Sequence, residues 1–279
     1  MQLSKFKAKF LSELSESFSE REVLNQFAIV LEKILNLNRA QALLAKDRQL
    51  DAEELKKLDQ LLFQLKKNKP LDYIFRESIF FGREFYVDER VLIPRPETEE
   101  LLQWILEEES KETRLLDIGS GCGCIPITLA LESDFQLIHA CDISADANQV
   151  AQLNAKKMEV KIDFIKLDIL HEVPDHIYDV VVSNPPYVRQ EELNELAKNV
   201  VDHEPKIALA PPGEPLLFYR RMIAIAPEIL KKGGKFYWEI HEDFGKQIID
   251  LLKTNGFKNI ALKQDNYGRD RLVRAIYSG

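Results

Sequence analysis

The sequence predicts an α/β protein, in which a doubly wound, seven-stranded and mostly parallel sheet follows a small N-terminal helical bundle. From residue 113 onward, apolar β-branched runs alternate with stretches of helical periodicity, as in parallel sheets whose strands are joined by helices. The apolar residues of the first 69 positions recur at helical spacing, and no helix-breaking residue interrupts them, since the first proline is Pro70 and the first glycine is Gly82. The last two strands are joined by residues 265–270, too few for a crossover helix, so they are predicted to pair antiparallel.

Residues 1–69 are predicted to form four short helices packed as a bundle. Apolar residues recur at helical intervals, for example at Phe6, Phe10 and Leu14. The last helix is expected to begin after Asp51, with Glu54 completing a capping box. The pattern indicates a folding or docking domain and not a catalytic core.

Residues 70–95 are predicted to form a β-hairpin that links the bundle to the sheet domain. The segment is aromatic and β-branched, with strand-like halves on either side of Gly82. A helix is then expected to open at Pro96 or Thr98 and to run to about Glu108.

The sheet domain is predicted to span residues 96–279. Its strands are expected at Thr113–Ile118, Gln136–Cys141, Lys161–Lys166, Tyr178–Ser183, Lys235–His241, Phe257–Gln264 and Arg271–Tyr277. Its further helices are expected at Cys124–Glu132, Ala145–Lys157, Glu214–Lys231 and Glu242–Asn255.

Composition and charge restrict the class of protein. The 279 residues are 45% hydrophobic and 30% charged, as in globular proteins. No apolar run approaches the roughly 20 residues of a membrane span, and the N-terminus lacks the apolar core of a signal peptide. Three cysteines, an odd set without metal-ligand spacing, favour a reducing cytoplasm. The net charge of −8 argues against tight, unaided binding to nucleic acid, and it divides into +3 for residues 1–70 and −11 for the rest.

A glycine-rich turn follows the first predicted strand of the sheet. From Asp117 onward the sequence is Asp-Ile-Gly-Ser-Gly-Cys-Gly, which leads into a predicted helix. Such a turn lets a ligand approach the backbone and the helix N-terminus. Its Gly-x-Gly-x-Gly spacing differs from the Gly-x-Gly-x-x-Gly of dinucleotide-binding proteins.

Polar side chains are expected at the carboxyl ends of three further strands. Asp142 is placed to accept hydrogen bonds from ribose hydroxyls, and Asp168, with Ile169 beside it, to accept from an adenine amino group and pack its ring. Asn184 ends the next strand. Each acid alone is at least as well explained as a helix cap or turn residue, but together they predict a ligand site at one sheet edge.

The segment Asn184-Pro-Pro-Tyr187 is predicted to be a rigid, extended turn. The prolines end the preceding strand, and Pro185 holds Asn184 out of the helical region. The Asn184 side-chain oxygen and the Pro185 carbonyl are then two fixed acceptors for the hydrogens of a planar –NH2 group, and Tyr187 offers a flat face beside it. An Asn-Pro turn without function is the simpler alternative.

The sequence resembles class I S-adenosylmethionine-dependent methyltransferases that act on nitrogen. The resemblance is carried by the Asp117–Gly123 segment, Asp142, Asp168 and Asn184-Pro-Pro-Tyr187. More specifically, Ile93-Pro-Arg-Pro-Glu-Thr-Glu, His203-Glu-Pro and Asp265-Asn-Tyr-Gly-Arg-Asp-Arg resemble the HemK/PrmC family, whose members methylate a glutamine in peptide-chain release factors. The resemblance covers nearly the whole chain. Arg76 departs from it, since that family usually has glycine there.

This resemblance implies a Rossmann-like methyltransferase fold, an N-terminal substrate-docking domain and a cytoplasmic enzyme. It implies S-adenosylmethionine as cofactor, S-adenosylhomocysteine as product, and no metal. The substrate would be the side-chain amide of a glutamine in a Gly-Gly-Gln loop of class I release factors, with no membrane and no direct nucleic-acid partner. The cofactor-binding residues would be Asp117, Gly119, Ser120, Gly121, Cys122, Gly123, Asp142, Asp168, Ile169 and Asn184. Asn184, Pro185 and Tyr187 would be catalytic, and substrate would also contact Pro186, Arg95 and Glu97.

Three other functions share parts of this sequence pattern. A methyltransferase of adenine or guanine amino groups in DNA or RNA would share the Asn-Pro-Pro-Tyr segment, although the acidic sheet domain disfavours it. A nucleotide-binding oxidoreductase is disfavoured by the glycine spacing. A binding protein with a degenerate site is disfavoured by the intact set of strand-end residues. Glu97 and Glu99 are equally well explained as acids in the first turn of a helix.

Overall fold

The computed structural model describes all 279 residues and divides the chain into two compact units. A helical unit comprises Met1–Arg76 together with Ala197–His203, and a sheet unit comprises Glu77–Leu196 together with Glu204–Gly279. The late segment belongs to the helical unit because, among other contacts, the His203 ring nitrogen lies 2.8 Å from the Lys67 carbonyl. No helix of the structure is both long and apolar enough to cross a membrane.

The helical unit contains five helices in its first 76 residues; the four predicted within residues 1–69 are confirmed, and the fifth lies in the segment predicted as a hairpin. They are α1 (Leu3–Leu14), α2 (Glu20–Leu35), α3 (Arg39–Leu44), α4 (Ala52–Leu65) and α5 (Leu71–Phe75). Their apolar stripes meet in one core that includes Phe6, Phe10, Leu14, Phe27 and Leu58. The predicted capping box of α4 is confirmed, since Asp51 accepts from the Glu54 amide at 2.8 Å and Glu54 accepts from the Asp51 amide at 3.1 Å.

The predicted strands on both sides of Gly82 are confirmed, but the hairpin does not extend back over residues 71–75. Residues 71–75 form α5, and Arg76 ends that helix in the left-handed conformation, with φ 58°. This conformation favours glycine, which explains why a glycine is usual at this position in the family that the sequence resembles. The hairpin itself is short, and β1 (Ser78–Phe80) and β2 (Arg83–Phe85) pair antiparallel around a turn at Phe81 and Gly82. Helix α6 (Pro96–Glu108) follows, with Pro96 in its first turn.

The predicted seven-stranded sheet is confirmed. Its strands are β3 (Arg114–Ile118), β4 (Leu137–Asp142), β5 (Asp163–Lys166), β6 (Tyr178–Ser183), β7 (Leu230–Glu239), β8 (Phe257–Gln264) and β9 (Asp270–Tyr277). They lie in the order β5-β4-β3-β6-β7-β9-β8. The first five pair in parallel, and β9 pairs antiparallel with β7 and β8, as the short final connection requires.

The other helices are α7 (Cys124–Glu132), α8 (Ala145–Lys157), α9 (Lys198–Val201), α10 (Lys206–Leu209), α11 (Leu217–Ala224), α12 (Ala226–Ile229) and α13 (Gly245–Thr254). The single helix predicted over residues 214–231 is wrong. Pro227, in the first turn of α12, starts a new helix, and β7 already begins at Leu230. Of the short helices α9 and α10, neither was predicted, because four residues carry too little periodicity.

Candidate active site

The sheet order brings the predicted strand-end residues to one edge. In the structure, β5, β4, β3 and β6 are successive neighbours. Ile118 pairs with Ser183, so the turns that begin at Gly119 and at Asn184 leave adjacent strands at the same level. The Ser183 hydroxyl also donates to the Ile118 carbonyl at 2.7 Å, which ties the two strand ends together.

The glycine turn is held to the neighbouring strand by its backbone. The Gly119 and Ser120 amides both donate to the Cys141 carbonyl, at 2.8 and 3.2 Å. Gly119 and Gly121 have φ of 78° and 54°, and a Cβ added to either would meet nothing within 4 Å, so open space lies above this backbone. Gly123 differs, because its added Cβ would lie 2.9 Å from the Ile127 side chain. Gly123 therefore allows close packing inside the protein and not approach by a ligand.

Two other predicted cofactor residues in the turn face inward. The Ser120 hydroxyl donates to the Cys141 carbonyl at 3.1 Å. Cys122 is buried, and its carbonyl accepts from the Asn154 side-chain amide at 2.9 Å. Both residues thus shape the turn from below.

Asp142, the last residue of β4, supports the turn with its carboxylate. One oxygen accepts from the Gly121 amide at 2.9 Å and the other from the Ser144 amide at 2.9 Å. Burial raises the pKa of Asp142, and these two backbone donors oppose the rise. Each carboxylate oxygen can accept more than one hydrogen bond, so acceptor capacity remains for a ligand.

Asp117 lies below this surface, one residue before the end of β3. Its side chain is fully buried, and neither carboxyl oxygen has a hydrogen-bond partner. Burial, followed by the charge of Asp142, raises the pKa of Asp117 well above its ordinary value. A buried carboxyl without partners is costly to ionise, so the carboxylate is favoured only if a cation comes near.

Asp168 follows β5 by two residues and forms part of a local turn. One oxygen accepts from the Leu170 amide at 3.0 Å, and the other lies 2.7 Å from a ring nitrogen of His171. Ile169 is buried, and its carbonyl accepts from the Arg221 guanidinium at 2.8 Å. The pair is therefore held in place at the same edge as Asp142.

Asn184 is joined to Tyr187 through Thr98 and Glu239, two residues that sequence reasoning did not connect with this turn. Its side-chain nitrogen donates to the Thr98 hydroxyl oxygen at 3.1 Å, and that hydroxyl donates to Glu239 at 2.6 Å. The second oxygen of Glu239 accepts from the Tyr187 hydroxyl at 2.8 Å. We refer to Asn184, Thr98, Glu239 and Tyr187 as the amide network. It connects both ends of the Asn-Pro-Pro-Tyr turn, in which Pro185 is buried and Pro186 half-buried.

Glu239 was missed although the sequence carries a signal for it. It ends β7, after the apolar residues Phe236, Tyr237 and Trp238, and its side chain is buried. An acid at the end of such a strand follows the same pattern as Asp117 and Asp142. Burial raises the pKa of Glu239, and the hydrogen bonds from Thr98 and Tyr187 and the charge of Arg271 oppose the rise, while Glu97 adds to it. Burial also raises the pKa of Tyr187, so its hydroxyl stays protonated and donates.

The predicted substrate residue Arg95 is already paired. Its guanidinium donates to both oxygens of Glu204 at 2.8 Å, and the Glu204 side chain is 1% exposed. The His203-Glu-Pro segment therefore contributes a buried acid that fixes Arg95. Glu97 is half-buried in the first turn of α6, and Glu99 accepts from the Phe81 amide of the hairpin turn at 2.7 Å. Glu99 thus has a structural contact.

Glu192, His241 and Asp243 offer ligand atoms within 4.8 Å of one another. The Arg189 guanidinium bridges this group, with distances of 3.1 Å to Glu192 and 2.6 Å to Asp243. The cluster is therefore explained as an ion-pair network.

Solved structures of methyltransferases share the fold over most of the chain. A methyltransferase from Pyrococcus furiosus matches with a TM-score of 0.53 and 15% identity, covering 79% of this chain and 99% of that chain. A 16S rRNA methyltransferase from T. Thermophilus, in complex with AdoMet and guanosine, gives 0.52 at 15% identity, covering 72% of this chain and 49% of that chain. At this identity the likeness concerns the fold alone.

Sequence comparisons are more specific. The family model of the methyltransferase small domain matches residues 97–237, and that of the PrmC N-terminal domain matches residues 8–75. The release factor glutamine methyltransferase of Flavobacterium psychrophilum is 42% identical, covering 99% of this chain and 100% of that protein. Those of Bacteroides thetaiotaomicron and Streptococcus pneumoniae are 35% and 36% identical, each over 98% of this chain and, respectively, 99% and 98% of theirs. The chain therefore belongs to the family of release factor glutamine methyltransferases.

Proposed function

We propose that this protein transfers a methyl group from S-adenosylmethionine to the side-chain amide nitrogen of a glutamine in class I peptide chain release factors, in the cytoplasm, and so modulates translation termination. The observation that carries this proposal is the pairing of Ile118 with Ser183. It puts the glycine turn and the Asn-Pro-Pro-Tyr turn side by side at the carboxyl edge of the sheet, where open α/β sheets bind ligands.

The residues at the glycine turn fit S-adenosylmethionine. Open space above Gly119 and Gly121 admits a ligand to the backbone. Asp142 has acceptor capacity for ribose hydroxyls, and Asp168 with Ile169 suits the amino group and ring of adenine. Asp117, which carries an unpartnered carboxyl below the turn, favours a ligand with positive charge nearby, as the cofactor has in its sulfonium and ammonium groups.

When bound, S-adenosylmethionine supplies an electrophilic methyl group. The work of the chain is to hold the substrate nitrogen in line with it, since an amide lone pair is delocalised and attacks poorly. The Asn184 side-chain oxygen and the Pro185 carbonyl accept the two amide hydrogens, and both acceptors stabilise the positive charge that develops on nitrogen. Tyr187 packs against the substrate amide. Because the neutral amide is the nucleophile, no base is needed before attack, and the proton leaves to water afterwards.

A release-factor loop is the substrate that suits this site. The two prolines make a rigid mouth, into which a slender carboxamide flanked by glycines can enter. The helical unit is proposed to bind the body of the release factor. Such a second contact raises the effective concentration of the glutamine at the catalytic turn.

Labelled S-adenosylmethionine tests the function directly. The protein is incubated with a purified class I release factor, and label is expected on the glutamine of its Gly-Gly-Gln loop. A release factor in which this glutamine is replaced by alanine is the matched control and should stay unlabelled. Label on nucleic acid, with none on the release factor, would instead support methylation of adenine or guanine amino groups.

A further inference from the structure

We infer that Thr98 and Glu239 are positioning residues that fix the orientation of the Asn184 side-chain amide, so that its oxygen faces the substrate. This inference rests on the proposed function and names residues beyond its catalytic turn. It is carried by the amide network, in which hydrogen-bond donors and acceptors can be counted atom by atom.

Glu239 accepts a hydrogen bond at each of its two carboxylate oxygens. One of its oxygens lies 2.8 Å from the Tyr187 hydroxyl and the other 2.6 Å from the Thr98 hydroxyl. A carboxylate can accept but cannot donate, so both hydroxyls must donate to it. The single proton of Thr98 is therefore committed to Glu239.

The committed proton decides the orientation of Asn184. With its hydrogen on Glu239, the Thr98 oxygen can only accept, and the Asn184 atom 3.1 Å away must be the nitrogen. The two ends of a planar amide point in different directions. With the nitrogen held by Thr98, the Asn184 oxygen is turned away from it and is available as the acceptor that the reaction requires.

The two middle residues of the network, Thr98 and Glu239, are anchored by further hydrogen bonds. Thr98 is 2% exposed, lies in the first turn of α6 and donates its own amide to the Arg95 carbonyl at 3.1 Å. Glu239 is 1% exposed, and its carbonyl accepts from the Tyr219 hydroxyl at 2.8 Å. A network held on two elements of regular structure keeps its geometry before substrate arrives, which is what a preorganised acceptor needs.

The test uses substitutions at Thr98 in the full-length protein. Thr98→Val keeps the shape of the side chain and removes the hydroxyl, so the Asn184 amide loses the partner that distinguishes its two ends. We expect the kcat for release-factor methylation to fall about 10- to 100-fold, as for a buried polar group left without its partner. Affinity for S-adenosylmethionine, measured by calorimetry, should change less than about twofold, since Thr98 touches none of the proposed cofactor residues but Asn184.

Three further variants separate positioning from a structural role. Thr98→Ser restores the hydroxyl and should recover most of the lost rate. Thr128→Val is the matched control, because it removes a hydroxyl that is equally buried on a helix but has no partner, and it should leave the rate unchanged. In an Asn184→Ala background, Thr98→Val should cause no further loss, since Thr98 acts through Asn184.

The outcomes distinguish this inference from the proposed function. If the native protein methylates a release factor and Asn184→Ala slows this strongly, but Thr98→Val behaves as native, the positioning role is refuted and the proposed function stands. Losses that multiply in the double variant would also refute it, because Thr98 would then act independently of Asn184. If the native protein labels no release factor, the proposed function itself fails.

Discussion

The buried carboxyl of Asp117 predicts a dependence of stability on pH. In the unfolded chain this carboxyl ionises near its ordinary value of 3.8, whereas burial raises its pKa well above that value in the folded protein. Between these two pKa values the folded protein therefore holds one proton more than the unfolded chain. The contribution of this carboxyl to the free energy of unfolding is fully present below the ordinary pKa, and it is lost as pH rises toward the raised pKa.

The magnitude follows from linkage. Each increase of one pH unit in this window should lower the free energy of unfolding by about 1.4 kcal/mol. For a chain of this size, each kcal/mol lost lowers the melting temperature by about 2–4 °C. The substitution Asp117→Asn removes the titrating carboxyl at this position. The difference in unfolding free energy between native protein and variant should therefore change with this slope, and the variant should be favoured increasingly at higher pH.

Denaturant unfolding of both proteins, without cofactor and at several pH values above about 5, measures the slope. Asp146→Asn, which removes an exposed carboxylate from the first turn of α8, is the matched control and should run parallel to the native protein. Saturating S-adenosylmethionine should reduce the slope for the native protein, since nearby positive charge favours the ionised carboxyl. If Asp117→Asn and the native protein gave parallel curves without cofactor, burial of Asp117 would not control its ionisation.

Four further predictions concern binding and rate. Asp142→Ala should weaken S-adenosylmethionine binding by about 1.5–3 kcal/mol, the value of a charge-assisted hydrogen bond, and unchanged affinity in calorimetry would exclude the ribose contact. Asn184→Ala should keep cofactor affinity but slow transfer about 10²- to 10³-fold in a labelling assay, and near-normal turnover would reduce Asn184 to a turn former. The kcat should fall as pH drops through the raised pKa of Glu239, because the protonated carboxyl can donate where the carboxylate accepts. A pH profile of kcat with its midpoint at the ordinary value of 4.5 would contradict a role for Glu239. Leu43 and Leu44 are 73% and 88% exposed on the helical unit, and replacing both with lysine should raise KM for a whole release factor but not for a glutamine peptide. An equal rise in KM for both substrates would argue against docking at these residues.

The strand-end residues could be predicted because they depend on local pattern and on a general rule of topology. The run Val180-Val181-Val182 identifies a buried strand by its composition, and the prolines mark its end. In parallel sheets all such ends meet at one edge, so Asp142, Asp168 and Asn184 could be brought together without coordinates. The sheet order of the structure agrees with that argument.

The amide network could not be predicted in the same way. Thr98 and Glu239 are 141 positions apart, and their contact depends on how α6 lies against β7. Periodicity describes which face of an element is buried, but it does not specify the partner of one polar atom on that face. The same holds for the contact between Arg95 and Glu204, which are 109 positions apart.

Two segments differ from their sequence predictions for local reasons, namely residues 71–75 and the start of β7. Residues 71–75 are aromatic and apolar, as strands often are, but the tertiary structure makes them a single helical turn that Arg76 ends. At the start of β7, Gly233 and Gly234 interrupt the apolar pattern, so the strand was placed too late. The register of β6 against β7 shifts between Tyr178 and Val180, which accommodates this irregular beginning.

Asp117 and Glu239, two of the buried acids of the sheet unit, differ in their hydrogen bonding, and we propose that they act on opposite sides of the reaction. Glu239 receives two hydroxyl donors from the chain itself, so its surroundings are complete before any ligand binds. Asp117 receives none, so its surroundings are incomplete until positive charge arrives. A complete network suits the substrate side, where the orientation of one amide must be fixed in advance, and an incomplete one suits the side that binds a cationic cofactor. A rise in pH is expected to lower stability through both acids, because burial raises both pKa values, whereas an effect of pH on kcat is expected from Glu239, which orients Asn184.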